Sequence, residues 1–189
     1  MVKWFKIFGI SMWLMLHALA WADAPPPLQP IASLDVQRYL GRWYEIAKFP
    51  NVFQKQCVAD TSAQYTLQPD GSLRVLNQCR NSAGEMVQAV GQAKQTGPAD
   101  SPKLRVRFAP DWLSFLPFVW GDYWVIDLDA SYALAAVSEP GRDYLWILSR
   151  TPSVEPVVYD ALLKRLAQMG LDIGRLEKSP QAFTLRSPS

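Results

Sequence analysis

Between Gly41 and Arg150 the chain alternates short stretches rich in Val, Leu, Tyr, Trp and Thr with clusters of turn-forming residues. The stretches predict strands over residues 42–49, 57–67, 73–80, 86–94, 103–108, 122–127, 133–138 and 144–150. Pro69-Asp70-Gly71, residues 81–84, Gly97-Pro98, residues 127–130 and Pro140-Gly141 separate them, with residue types that accept tight turns. Eight strands at this spacing predict an all-β fold, an eight-stranded antiparallel up-and-down β-barrel, because a sheet closed on itself has no unpaired edge. A single helical turn is expected at 35–40, ahead of the first strand. One α-helix follows the last strand, with Ser153 as its cap, Glu155 and Pro156 in its first turn and Gly170 at its end. Val158, Leu162, Leu166 and Met169 form an apolar stripe that packs this helix on the outside of the barrel.

Alternation then assigns faces. Cys57, Ala59, Thr61, Ala63, Tyr65 and Leu67 share one side of the second strand, Leu73, Val75, Asn77 and Cys79 one side of the third, and Leu104, Val106 and Phe108 one side of the fifth. The inward set includes several small residues: Ala47, Ala59, Ala63, Ala89, Gly91, Ala93 and Ala136. Such walls leave room in a barrel whose size suits one small ligand. The expected lining is Ala47, Ala63, Tyr65, Leu67, Val75, Leu104, Val106, Phe108, Tyr123, Val125, Leu134, Trp146 and Leu148, each of which also reads as ordinary core. Tyr65, Asn77 and Tyr123 are positioned to meet a headgroup or carboxylate, and Glu45 is an inward acid near the floor.

The first segment changes the charge picture. Lys3 and Lys6 precede an apolar run from Ile7 to Leu19 and the small residues of Ala20-Trp21-Ala22, the pattern of a secretory signal peptide over 1–22. Residues 23–33 then form a proline-rich tether, 34–181 the folded domain and 182–189 a C-terminal tail. Without the two lysines, the remaining Lys and Arg equal the 17 Asp and Glu in number, so no nucleic acid is expected as a partner. The same cut removes His17, the single histidine of the 189 residues. A mature chain without histidine has no Ser-His-Asp triad, no Cys-His pair and no His-ligated metal. No cofactor, metal or catalytic residue is expected.

Two local strings carry more specific information. Gly41-Arg42-Trp43-Tyr44-Glu45-Ile46-Ala47 opens the first strand, and Tyr144 to Pro152 runs through the eighth to Arg150. A guanidinium on the indole of Trp43 would seal one end of the barrel by joining its first and last strands. With Gly121-Asp122-Tyr123 and Asp127-Leu128-Asp129 around the sixth strand, these strings resemble the lipocalin family, in particular its bacterial members and apolipoprotein D. The resemblance spans roughly 34–181. It implies an eight-stranded calyx with an outer C-terminal helix, binding fatty acids or lysophospholipids in lipid storage or transport at the cell envelope under stress. Many family members are outer-membrane lipoproteins. Here Leu19-Ala20-Trp21-Ala22-Asp23 lacks the cysteine that would be acylated, so an exported, soluble, periplasmic protein is expected, with outer-membrane association left open.

Cys57 and Cys79 come close to opposite one another across the hairpin turning at Pro69-Asp70-Gly71. A disulfide is favoured in an exported protein, with two free thiols or a reactive thiol as the alternatives. The stretch from Pro110 to Trp120 is large and apolar at seven of its positions, unusual for a loop. In the family fold it lies at the open mouth, where Trp112, Phe115, Leu116, Phe118 and Trp120 read as a lip that meets a membrane surface, as a satellite core, or as a homodimer contact. The competing functions are a lipocalin-fold enzyme using a reactive cysteine and a protein-interaction module using the 110–120 loop.

Overall fold

A computed structural model describes residues 25–110, 113–114 and 116–181. The expected signal segment, the first residues of the tether, the tail, Trp112 and Phe115 lie outside the described residues. The helical turn α1 (Val36–Tyr39) starts at Asp35, whose carboxylate accepts the Arg38 amide hydrogen. Strands β1 (Gly41–Lys48), β2 (Ala59–Leu67), β3 (Leu73–Arg80), β4 (Met86–Gln95), β5 (Lys103–Arg107), β6 (Gly121–Leu128), β7 (Leu134–Ser138) and β8 (Leu145–Ser149) follow in turn. Each pairs antiparallel with the next, and β1 pairs with both β8 and β2, which closes the barrel.

Helix α2 (Pro156–Gln168) packs against the outer wall through Leu162 and Leu166. Its start differs from expectation. Glu155 holds the N-cap position, Pro156 enters as the first helical residue, and Ser153 makes no cap. Val158 is exposed, and Tyr159 and Leu163 complete the packed face instead. Arg165 on α2 donates two hydrogen bonds, at 2.7 and 2.8 Å, to the Asp127 carboxylate on β6.

Closure rests on the two ends of the barrel. At the lower end the Arg150 guanidinium lies 3.9 Å from the centre of the Trp43 ring. It donates to the carbonyls of Arg42 and Arg38, both at 2.8 Å, and to that of Tyr132 at 3.2 Å. Gly41 has a positive φ of 94°, and a side chain there would press on Arg150 Nη1. At the upper end a short ninth strand, β9 (Glu177–Lys178), pairs with the second half of β1, where β2 has diverged. The Pro180 carbonyl accepts the Asp60 amide hydrogen, and the Gln181 side chain donates to Glu45 O at 2.8 Å and Thr61 O at 3.0 Å. The segment from Glu177 to Gln181 thus fills a seam between β1 and β2, which strand counting did not foresee.

Three bulges reverse the alternation. In β1 the register slips between Glu45 and Ala47, so Ala47 pairs with Ile147 and joins the outer cluster under α2. In β6 it slips between Val125 and Asp127, so Asp127 follows Ile126 onto the side of α2, and on β7, whose register is unbroken, Leu134 and Ala136 face outward beside them. In β2 it slips between Ala59 and Ser62, at Asp60 with its φ of 54°, which turns Ala59 outward. Ala47 and Leu134, expected in the lining, therefore belong to the helix-facing wall.

Replacing Arg150 with alanine should lower the unfolding free energy by about 2–3 kcal/mol, from three charge-assisted hydrogen bonds and a stacked cation. Arg150→Lys should recover less than half, since an ammonium lacks the planar fork; urea unfolding measures both. The Cys57–Cys79 disulfide links residues 22 positions apart. Its removal in the double serine variant should cost about 3 kcal/mol in the same assay, mainly through the unfolded chain.

Candidate functional site

The barrel interior divides into a filled floor and an open upper half. The floor is packed by Tyr39 and Leu34 from the N-terminal segment with Trp43, Tyr65, Leu73, Val75, Ala93, Leu104, Tyr123, Val125, Ala135, Val137 and Leu148 from the strands. Above it, Ala63, Asn77, Val87, Ala89, Gly91, Val106 and Trp146 lie on the inward side by register, yet solvent reaches all of them. Small residues line β4 here because alternation places Val87, Ala89, Gly91 and Ala93 opposite Cys79, Asn77, Val75 and Leu73. Gly91 is required for a different reason: a Cβ there would come 2.6 Å from Arg107 O and 2.7 Å from the Phe108 ring.

Ten expected lining residues meet inside: Ala63, Tyr65, Val75, Asn77, Leu104, Val106, Tyr123, Val125, Trp146 and Leu148. Leu67 and Phe108 do not. Leu67 is 40% exposed at the lower turn of the β2–β3 hairpin, and Phe108 is 44% exposed just beyond the end of β5. Alternation holds at both positions, but the barrel no longer surrounds them.

The polar groups differ more. Tyr65 and Tyr123 are buried in the floor rather than presented at the mouth, and they form a hydrogen-bonded chain with Tyr39: Tyr39 Oη to Tyr123 Oη 2.8 Å, Tyr123 Oη to Tyr65 Oη 2.9 Å. Burial pushes the Tyr65 phenol up to about 12 and those of Tyr39 and Tyr123 well above the ordinary value. Glu45 is not a floor residue. It accepts a 2.6 Å hydrogen bond from Gln54 Nε2, in the 3₁₀ turn Val52–Gln54 that follows β1, and another from the Ser179 hydroxyl in the seam. Burial raises its carboxyl above the usual carboxylate range, against those two hydrogen bonds.

Gln54 is the position at this end of the barrel that alternation missed. Its carbonyl oxygen accepts from Trp146 Nε1 at 2.9 Å and from Asn51 Nδ2 at 2.7 Å, so one side chain ties the upper loop to the inner wall and to Glu45. Tyr144 stacks on Trp146 at 5.7 Å, and Phe53 leans on Tyr144 at 5.7 Å, making an aromatic rim. Strand direction places the 110–120 loop at this same end. Phe118 is 78% exposed there, while Trp120 donates to Ser114 O at 2.8 Å and lies beneath Arg107 and Lys94, 5.1 and 5.7 Å from their charges. Two hollows of about 470 and 380 Å³ mark the outer wall, one along β1–β3 at Arg42 and Arg80, the other beside Arg74 and Phe108.

A family profile described as a lipocalin-like domain matches residues 34–181. Temperature-induced lipocalin-1 of Arabidopsis thaliana is 43% identical over 159 residues, covering 83% of this chain and 84% of that protein. Outer membrane lipoprotein Blc of Escherichia coli K12 is 38% identical over 160 residues, covering 83% and 86%. Apolipoprotein D of Mus musculus is 35% identical over 164 residues, covering 83% and 81%. Among solved structures, insecticyanin of Manduca sexta superposes with a TM-score of 0.63 at 21% identity, covering 82% and 85%, a likeness of fold.

Because its carboxyl is raised in the folded state, Glu45 favours folding most below its ordinary value, and that contribution is lost as pH rises through the folded-state value. Glu45→Gln should therefore melt higher than the parent at neutral and alkaline pH, with the gap closing in acid. Thermal unfolding across that range measures it.

Proposed function

The chain belongs to the lipocalin family, and from that premise we propose that it binds a single-chain amphipathic lipid, a fatty acid or lysophospholipid, within its barrel. The supporting observation is the solvent access of the inward side chains at Ala63, Asn77, Val87, Ala89, Val106 and Trp146 above a filled floor. A packed barrel would have excluded water from those positions. Each buried CH₂ contributes about 0.8 kcal/mol, so a sixteen-carbon tail gives roughly 12 kcal/mol gross. Association and ordering costs leave about 8 kcal/mol, a micromolar complex. The work in this reading is carriage or storage of lipid for upkeep of the cell envelope, without chemistry of the protein's own.

Residues 1–22 serve as an export signal in this reading, 23–33 as a tether, 34–181 as the binding domain and 182–189 as a tail, with the mature protein in the periplasm. The relatives named for an outer-membrane lipoprotein and an apolipoprotein support export and a lipid partner. The rim suits hand-over from a bilayer: exposed Phe118 adjoins an indole, Trp120, held under Lys94 and Arg107, and tryptophan with cations favours the headgroup zone. The reactive-cysteine alternative has little to stand on, since Cys57 and Cys79 are bonded to each other and neither sulfur is a thiolate.

Solvent extraction of gently purified protein followed by mass spectrometry should yield a single-chain lipid in near-stoichiometric amount. Ala89→Trp, which fills the open half of the lumen, should weaken binding of a fluorescent fatty acid at least tenfold with an unchanged fold by circular dichroism. Equal affinity in that variant would place the ligand elsewhere. Phe118→Ser combined with Lys94→Gln should slow lipid uptake from anionic vesicles more than it weakens final affinity; a loss of dimer with no kinetic change would instead assign the loop to protein contacts.

A further inference from the structure

The three phenols of the floor come from separate elements: Tyr39 from α1, Tyr65 from β2 and Tyr123 from β6. Each hydroxyl brings one proton to donate. The chain Tyr39–Tyr123–Tyr65 contains two hydrogen bonds and therefore uses two of the three protons, whichever way it is oriented. The third O–H has no acceptor among the described residues. Buried donors are normally matched, and three phenylalanines would fill the same volume with nothing left over.

Resting on the lipid-carrier reading, we propose that this spare O–H receives one uncharged oxygen at the deep end of the ligand, so that the preferred occupant is an acyl chain carrying an oxo or hydroxy group near its far terminus. Tyr123 is the most accessible of the three at 9%, and it pairs with Leu104, one inward position below Val106, which solvent reaches. The acceptor must be uncharged. Arg150, the cation whose field reaches the phenols at Tyr39, is stacked on Trp43 with its donors directed at three backbone carbonyls. A carboxylate taken to this depth would lose its hydration without a counter-charge, so the charged end stays at the aromatic rim. The raised phenol values agree with a site that stays neutral and donating.

The test compares hexadecanoic acid with 15-oxohexadecanoic acid labelled with ¹³C at the ketone, on the full exported protein. The oxo acid should bind about five- to tenfold more tightly, the worth of one hydrogen bond. Its ketone stretch should fall below the frequency it shows in hexadecane. Tyr65→Phe/Tyr123→Phe should lose both the preference and the frequency shift while still binding hexadecanoic acid. Tyr39→Phe should keep both, because the two remaining phenols share one bond and retain one spare proton. Equal affinity for the two acids, with the ketone at its hydrocarbon frequency in the parent protein, overturns the proposal and leaves the carrier reading standing. That measurement needs no variant to fold. Failure of the folded protein to bind either acid would instead bring down the carrier reading, and this proposal with it.

Discussion

The guanidinium of Arg150 on the indole of Trp43 is the contact from which the rest of the barrel is organised. The two residues belong to opposite ends of the strand order, and the three carbonyls that Arg150 engages come from α1, from β1 and from the turn before β7. A cation in this position satisfies carbonyls that would otherwise be left at a barrel end, and it shields the aromatic floor from water on the outer side. Everything above depends on that floor: the phenol chain rests on Trp43 through Tyr39, whose rings are 4.8 Å apart. Above this layer solvent reaches the inward side chains at Ala63, Asn77, Ala89 and Val106.

The upper end is held by different physics. There β1 and β2 part, and a short segment from the C-terminal end of the domain supplies what the ladder lacks, with a strand pair, two backbone bonds and the bridging amide of Gln181. Glu45 joins that seam to the upper loop through Ser179 and Gln54, and Gln54 carries the link on to Trp146 in the wall. The disulfide fixes the same loop to the end of β3. The mouth is thus bordered by tied elements on the β1–β3 side, whereas the 110–120 side carries exposed aromatic surface beside cations.

Eight strands, the outer helix, the disulfide and the sealing pair were legible in the sequence because each has a local signature: alternation between turn residues, a stripe at helical spacing, cysteines level across a hairpin, a glycine two residues before a tryptophan. Ten of the lining positions follow from the same alternation. Leu134 went astray because β7 is buried along both faces, so alternation gives no sign of which side is inward, whereas Ala47 and Ala59 share another reason. A bulge inserts a residue and flips every side chain beyond it, and nothing in Glu45-Ile46-Ala47 or Val125-Ile126-Asp127 announces the slip.

What the chain determined alone is therefore a class of fold: strands long enough to close on themselves, and inward faces that are largely apolar. Only the folded barrel decided which layers are filled, since floor and cavity alternate identically along a strand and differ in whether tyrosine rings from three distant elements converge at one height. Only it decided that Gln181, 136 positions from Glu45, completes the seam. Such contacts depend on distances between segments that no local pattern encodes.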